Sequence, residues 1–305
     1  MKYRIIFGLL IFTLSAYAQP ADKLLKAHFK NIQKQKTAQL SKEQAAALLQ
    51  DEALFQQLGK YIRSDQKAVQ QEAIRLARQL GSIHPAERSR KQAVHLLLEA
   101  TRSKHPIALS SAADALQQFR PGDFDELAKQ RLADLLHSRP AQLDKLLLTA
   151  GFLQLEAALE TLRPELQKRS AARRALNLAL TRCGNQQKSA SMMKNIRQLP
   201  IDDAFVYQVV PMMVYTRQRP QMDFLLDLVL SDKRSCHTPG ENAHGHTLCG
   251  YRVIEQIAPV IEDFPVQLNE ATGDLAVNDY KKAMSEVRDW IRANRTTYTL
   301  KHDIF

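Results

Sequence analysis

Five side chains able to do chemistry fall in one short stretch of the sequence. It reads Cys236-His237-Thr-Pro-Gly-Glu-Asn-Ala-His244-Gly-His246-Thr-Leu-Cys249. Two chemistries compete there. The thiols can close a disulfide, or thiolates and imidazoles together can hold zinc in tetrahedral geometry. A thiol in a disulfide is no longer a thiolate ligand, so the readings exclude one another. The spacing matches no zinc signature, and the stretch is polar and carries Gly and Pro. It reads as a surface loop closed by Cys236 and Cys249, with a stabilisation of roughly 3 kcal/mol in the chain-entropy account. His237, His244 and His246 remain as ligand-binding positions presented by that loop. No metal and no other cofactor is assigned.

The third cysteine, Cys183, ends an apolar helical pattern and reads as a small buried hydrophobe. Nothing near it in sequence supplies the base that a reactive thiol needs. Lys168, Arg169, Arg173 and Arg174 cluster at a helix junction, and Arg88, Arg90 and Lys91 at another. If the junctions align, these cations form a basic rim for an anionic partner. No aromatic residues interleave with them, which argues against a stacking platform for single-stranded nucleic acid. Catalytic signatures are missing: there is no G-x-S-x-G elbow, no Gly-rich phosphate loop and no His-Glu-x-x-His. The acidic pairs Asp202-Asp203 and Glu262-Asp263 read as helix-end decoration. No catalytic residue is assigned, and a non-enzymatic role is expected.

The elements that must position these groups are helices. Apolar or small residues recur at i, i+4, i+7, i+8 and i+11, which is one face of a helix. Val69, Ala73, Leu76, Ala77 and Leu80 fit this pattern, as do Ala108, Ala112, Ala115, Leu116 and Phe119. Ala172, Leu176, Ala179, Leu180 and Cys183 fit too, and so do Val253, Ile257, Val260, Ile261 and Phe264. Phe205, Val209, Met212, Met213 and Thr216 fit with one polar exception; Leu143, Leu147, Ala150, Gly151 and Gln154 fit more weakly. The pattern starts at 69, 108, 143, 172, 205 and 253, and second amphipathic stretches lie between several of these starts. Two helices every 30 to 40 residues is the period of a helical-hairpin solenoid. Pro85, Pro106, Pro121, Pro140, Gly184 and Pro220 punctuate the proposed helix ends. Asp65 and Asp123 are placed to cap helix starts. Pro259 falls inside the last pattern and predicts a kink.

The stretch Asp65-Gln-Lys-Ala-Val69-Gln-Gln-Glu-Ala73-Ile-Arg-Leu76-Ala-Arg-Gln-Leu80-Gly81 resembles a HEAT repeat unit through its Asp, Val, Ala, Leu and Gly positions. Later units keep the apolar positions and lose the Asp and Gly marks, and the match is loose from about residue 45 to 265. The resemblance implies an all-α, HEAT/armadillo-like α-solenoid of about six helix pairs that binds other macromolecules. It brings no catalytic residue.

The first residues set the compartment. Lys2 and Arg4 precede an apolar run from Ile5 to Leu14, and Ala16-Tyr17-Ala18 gives the small-x-small pattern of a cleavage site. The run is about half the roughly 20 residues that a spanning helix needs. Residues 1–18 therefore read as a signal peptide cleaved near Ala18, with a periodic organisation behind it. Residues 19–50 form an N-terminal helical cap, 51–265 the helical repeats, and 266–305 a loop and a capping helix at Asp279 to Asn294. The mature chain is expected to be periplasmic or secreted, with no transmembrane anchor. An excess of 43 Lys and Arg over 32 Asp and Glu favours anionic partners. Export argues against nucleic acid. The expected role is a scaffold for a protein or acidic polymer. A metal-binding protein or metal-dependent enzyme built on His237 to His246 is the alternative, and a structural envelope protein without a discrete ligand is a third reading.

Overall fold

The computed structural model describes residues 21–34, 39–138, 140–166, 170–233, 235–237, 245–269 and 271–305. The expected signal segment 1–18 lies outside them. Fifteen α-helices follow one another among the described residues, and the two named strands are two residues long each. The class is all-α. No helix among the described residues is long and apolar enough to cross a membrane.

Burial follows the periodic pattern. Val69, Ala73, Leu76, Ala77 and Leu80 lie at 2% exposure or less on α4 (Lys67–Ser82). Ala108, Ala112, Ala115 and Leu116 are as deeply buried on α6 (Pro106–Leu116). Each larger apolar side chain so buried contributes about 1.5–3 kcal/mol. Small residues on the same faces let helices approach closely. Gly151 on α8 (Leu143–Phe152) shows the limit: a Cβ there would lie 2.5 Å from the Ala179 Cα on α10 (Ser170–Arg182).

Helix ends depart from the sequence reading by a residue or two. The cap of α7 (Glu126–His137) is Asp125, whose Oδ1 accepts the Ala128 N–H at 2.8 Å. Asp123 instead accepts from the Arg120 N–H at 3.1 Å and from Arg90 Nε at 2.7 Å, which ties α5 (Glu87–Ala100) to this turn. Asp123 thereby closes a capping box on the 3-10 turn Pro121–Asp123 rather than capping α7, and Asp65 caps no helix, since α4 starts at Lys67 and Asp65 pairs with Lys104 Nζ at 2.5 Å. A side chain that accepts the amides of the helix's first turn must stand at the N-cap position itself, and one residue of offset removes Asp65 from it. Pro259 ends a helix rather than kinking it. α14 (Cys249–Ile257) gives way to the 3-10 turn Ala258–Val260, because proline cannot donate to the ladder. α15 (Tyr280–Asn294) starts where expected, with Asp279 accepting from the Lys281 and Lys282 N–H groups. Its Met284, Val287 and Ile291 are buried, whereas Tyr280 at its first turn is exposed.

Between Leu199 and Thr216 a second departure matters more. Phe205–Val209 forms a π-helical turn ahead of α12 (Val210–Thr216). Pro211 lacks an N–H, and its ring crowds the carbonyl four residues back. The widened turn accommodates it, and the Val210 N–H bonds to the Phe205 oxygen five residues back. The apolar face rotates as a result. Val206, Val210 and Met213 are fully buried, while Val209 and Met212 move to the margin.

Among the described residues, two buried clusters make up the core. One runs from Ala21 to Leu180 and the other from Met193 to Tyr298. The change from one to the other falls at the turn between α10 and α11 (Gln186–Ile196). A short tail after α15 ties this junction together. The Lys301 N–H donates to the Val260 oxygen at 2.9 Å, Arg182 Nη2 to the Ile304 oxygen at 2.9 Å and Arg217 Nε to the Lys301 oxygen at 3.0 Å. Burial pushes the Arg182 guanidinium down to about 10 and that of Arg217 to about 9. Both sit at helix C-termini, where unsatisfied carbonyls favour a cation.

Candidate functional site: a basic groove between three helix faces

Cys236 and Cys249 are joined in a disulfide, buried at 0% and 2% exposure. The strands Cys236–His237 (β1) and His246–Thr247 (β2) pair antiparallel, with His237 opposite His246 and their rings 5.3 Å apart. Asp203 holds this ribbon to the helical body. Its carboxylate accepts the His237 N–H at 3.2 Å and makes a short contact with His237 Nδ1. The hydrogen bond from His237 is the main reason the Asp203 carboxyl lies below the ordinary range. The adjacent Asp202 accepts the Phe205 N–H at 2.9 Å. The pair read as decoration thus holds the disulfide ribbon with one acid and caps the π-helical turn with the other. His244 lies outside the described residues. Among those described, no group of three or more His, Cys, Asp or Glu side chains is placed to hold a metal ion. The thiols are spent in the disulfide, so His237 and His246 face one another across a ribbon rather than around a common point.

Cys183 is half-buried, and burial pushes its thiol up to about 12. Its Sγ lies 3.8 Å from the Gly151 carbonyl oxygen. A thiol so disfavoured as thiolate is a poor nucleophile.

The basic clusters meet different fates. Arg90 donates to Asp123 and to the His84 and Pro85 oxygens at 2.9 and 3.0 Å, and Lys91 pairs with Glu87 at 2.5 Å. That cluster is largely committed to its own neighbours. Lys168 and Arg169 lie outside the described residues. Arg173 and Arg174 are exposed on α10. Arg174 lines a cavity of about 560 Å³ that the sequence reading did not find.

Three helix faces build that groove. α10 contributes Arg174, Asn177, Leu178 and Thr181, spaced as one face of a helix. α11 contributes Lys188, Ser191, Met192, Asn195 and, just past its end, Leu199. Val209 and Met212, displaced by the π-helical turn, form the third wall. The apolar floor is Leu178, Met192, Ile196, Leu199, Val209 and Met212. Arg163 on α9 (Glu156–Leu166) joins Arg174 and Lys188 as cations of the rim, and Arg163 shares its charge with Glu160 at 3.4 Å. No acidic side chain lines the groove among the described residues. A sequence signal for this place does exist. From Leu166 to Ile201 there are eight Lys or Arg residues and no Asp or Glu. Counting cations by local cluster divides that run; counting acids shows it.

No protein-family model matches the chain, and no curated protein matches its sequence.

Proposed function

We propose that this protein is an exported, non-enzymatic scaffold of HEAT-like helical repeats, whose groove beside α10 and α11 binds an anionic partner. One observation carries the reading: an apolar floor rimmed by Arg163, Arg174 and Lys188, the last two within a run of 36 residues that has no acid. Arg163 shares its charge with Glu160, but among the described residues no acid lines the groove itself, so the rim cations raise the potential over a low-dielectric floor and attract negative charge. The repeat reading is supported by the recurrence of buried helix faces along the chain and by the small residues that set helix contacts. Export is supported by residues 1–18 and by the disulfide, which is at home in an oxidising compartment.

The test is affinity capture from the native compartment with the mature protein and with an Arg174→Glu/Lys188→Glu variant. A partner should be captured by the wild type, weakened by salt, and lost with the charge reversal. An identical partner set for both proteins would remove the groove from the account.

A further inference from the structure

Resting on that reading, we infer that the occupant of the groove is an amphipathic α-helix of a partner protein, apolar on one face and acidic along its flanks. Charge alone would be satisfied by any polyanion, so the argument rests on the floor. Met192, Ile196 and Leu199 stand at i, i+4 and i+7 along α11 and its end, forming an apolar stripe. Ile196 is nearly buried within its own core, Met192 is half-buried, and Leu199 is 45% exposed. Leu178 on α10 and the pair Val209 and Met212 face the same space. Three helical surfaces around one slot reproduce the geometry by which a groove accepts a helix through anchors at i, i+3, i+4 and i+7. An extended polymer of acidic sugars or phosphates would meet the rim cations but has nothing to lay on six apolar side chains.

The π-helical turn supports this choice. It takes Val209 and Met212 out of the core, where a regular helix would bury them, and leaves them in the groove wall. Such turns recur at functional sites. The other ready occupants fit poorly. Residues 1–20 of this chain are apolar but carry Lys2 and Arg4 and no acid, so their charge is that of the rim. A second copy would bring the same basic run against itself.

Two variants separate the two halves of the inference. Met192→Lys/Leu199→Lys removes the apolar floor and keeps the positive charge. Arg174→Glu/Lys188→Glu reverses the rim and keeps the floor. Both pairs of sites are exposed or half-buried, and circular dichroism checks that each variant is folded. Binding of the captured partner is then measured, together with binding of polyglutamate and heparin as polyanion probes. The expected result is at least a tenfold loss of partner affinity in each variant. A photo-crosslinker at position 192 should mark one partner peptide, with apolar residues spaced by three and four and acids between them. If the charge variant loses binding while the floor variant retains it, or if polyglutamate competes as well as the partner, the helix is wrong and the anionic-partner reading stands. If neither variant changes capture, both readings fall.

Discussion

Gly151 offers the sharpest check on how the helices are held. Replacing it with alanine adds a single methyl group at a point where α8, α10 and α12 converge. That methyl would lie 2.5 Å from the Ala179 Cα, 2.7 Å from the Ala179 Cβ and 2.5 Å from the Tyr215 hydroxyl. Backbone cannot move aside as a flexible side-chain tip can, so the helices must separate. Overpacking of this kind costs about 1–3 kcal/mol. The Tyr215 hydroxyl donates to the Leu148 oxygen at 2.6 Å, and the new methyl contests that position. Tyr215 is 8% exposed, so a displaced hydroxyl left without an acceptor adds about 1–3 kcal/mol. Alanine returns about 1 kcal/mol through its better helix propensity. The net expectation is a loss of about 3 kcal/mol for Gly151→Ala, read as a lowered urea midpoint by far-UV circular dichroism. Gly122→Ala is the control, because a Cβ there meets nothing within 4 Å, and its change should stay within about 0.5 kcal/mol. A Gly151→Ala protein as stable as the wild type would refute the close approach of α8 and α10.

Four further outcomes follow from particular contacts. Replacing Cys236 and Cys249 together with alanine opens a crosslink with a sequence separation of 13 and should cost roughly 3 kcal/mol, measured against the oxidised wild type in urea. Asp125→Ala should cost about 1 kcal/mol as a lost cap, while Asp65→Ala, whose carboxylate makes an exposed ion pair with Lys104, should be near neutral by thermal melting. Burial pushes the Glu72 carboxyl up, but hydrogen bonds from Arg75 and His28 outweigh it and hold the group below its ordinary value of 4.5. A depressed carboxyl stabilises the fold above its unfolded-state value and loses that contribution as pH falls through the folded value, so stability should decline below about pH 4.5 and Glu72→Gln should flatten that decline. Amino-terminal sequencing of the protein from its native source should begin at Gln19 under the proposed export; an intact Met1 would overturn the signal reading.

How far each contact could be read from the sequence depended on its range. The apolar faces of α4 and α6 were fully legible, because helical period and burial are two views of one local constraint. The Cys236–Cys249 pairing was legible because the loop is short and no third thiol competes within it. Cap positions were missed by one or two residues at Asp65 and Asp123, since several acids near a helix start satisfy the same local rule. Only the backbone geometry selects among them. The face of the Phe205 to Thr216 helix was read only in part for a related reason: Phe205, Met213 and Thr216 are buried as expected, and Val209 and Met212 are not. A periodic template assumes 3.6 residues per turn, and the wider turn at Phe205–Val209 shifts the register without changing composition.

The sequence by itself determined the helical class, the disulfide and the basic balance of this chain, because each is fixed by residue types close together along it. Only the tertiary structure decided where a groove forms. Arg174, Lys188, Leu199 and Met212 span 39 positions and share no local pattern, yet they line one groove. Packing brings them together: Gly151 admits α10 against α8, and Pro211 turns Val209 and Met212 outward. Conversely, Arg90 and Lys91 looked as available as Arg174 on the page, and folding consumed them in Asp123 and Glu87. A charge is available to a partner only if the fold leaves it without a counter-ion, and that depends on which distant acid packs beside it.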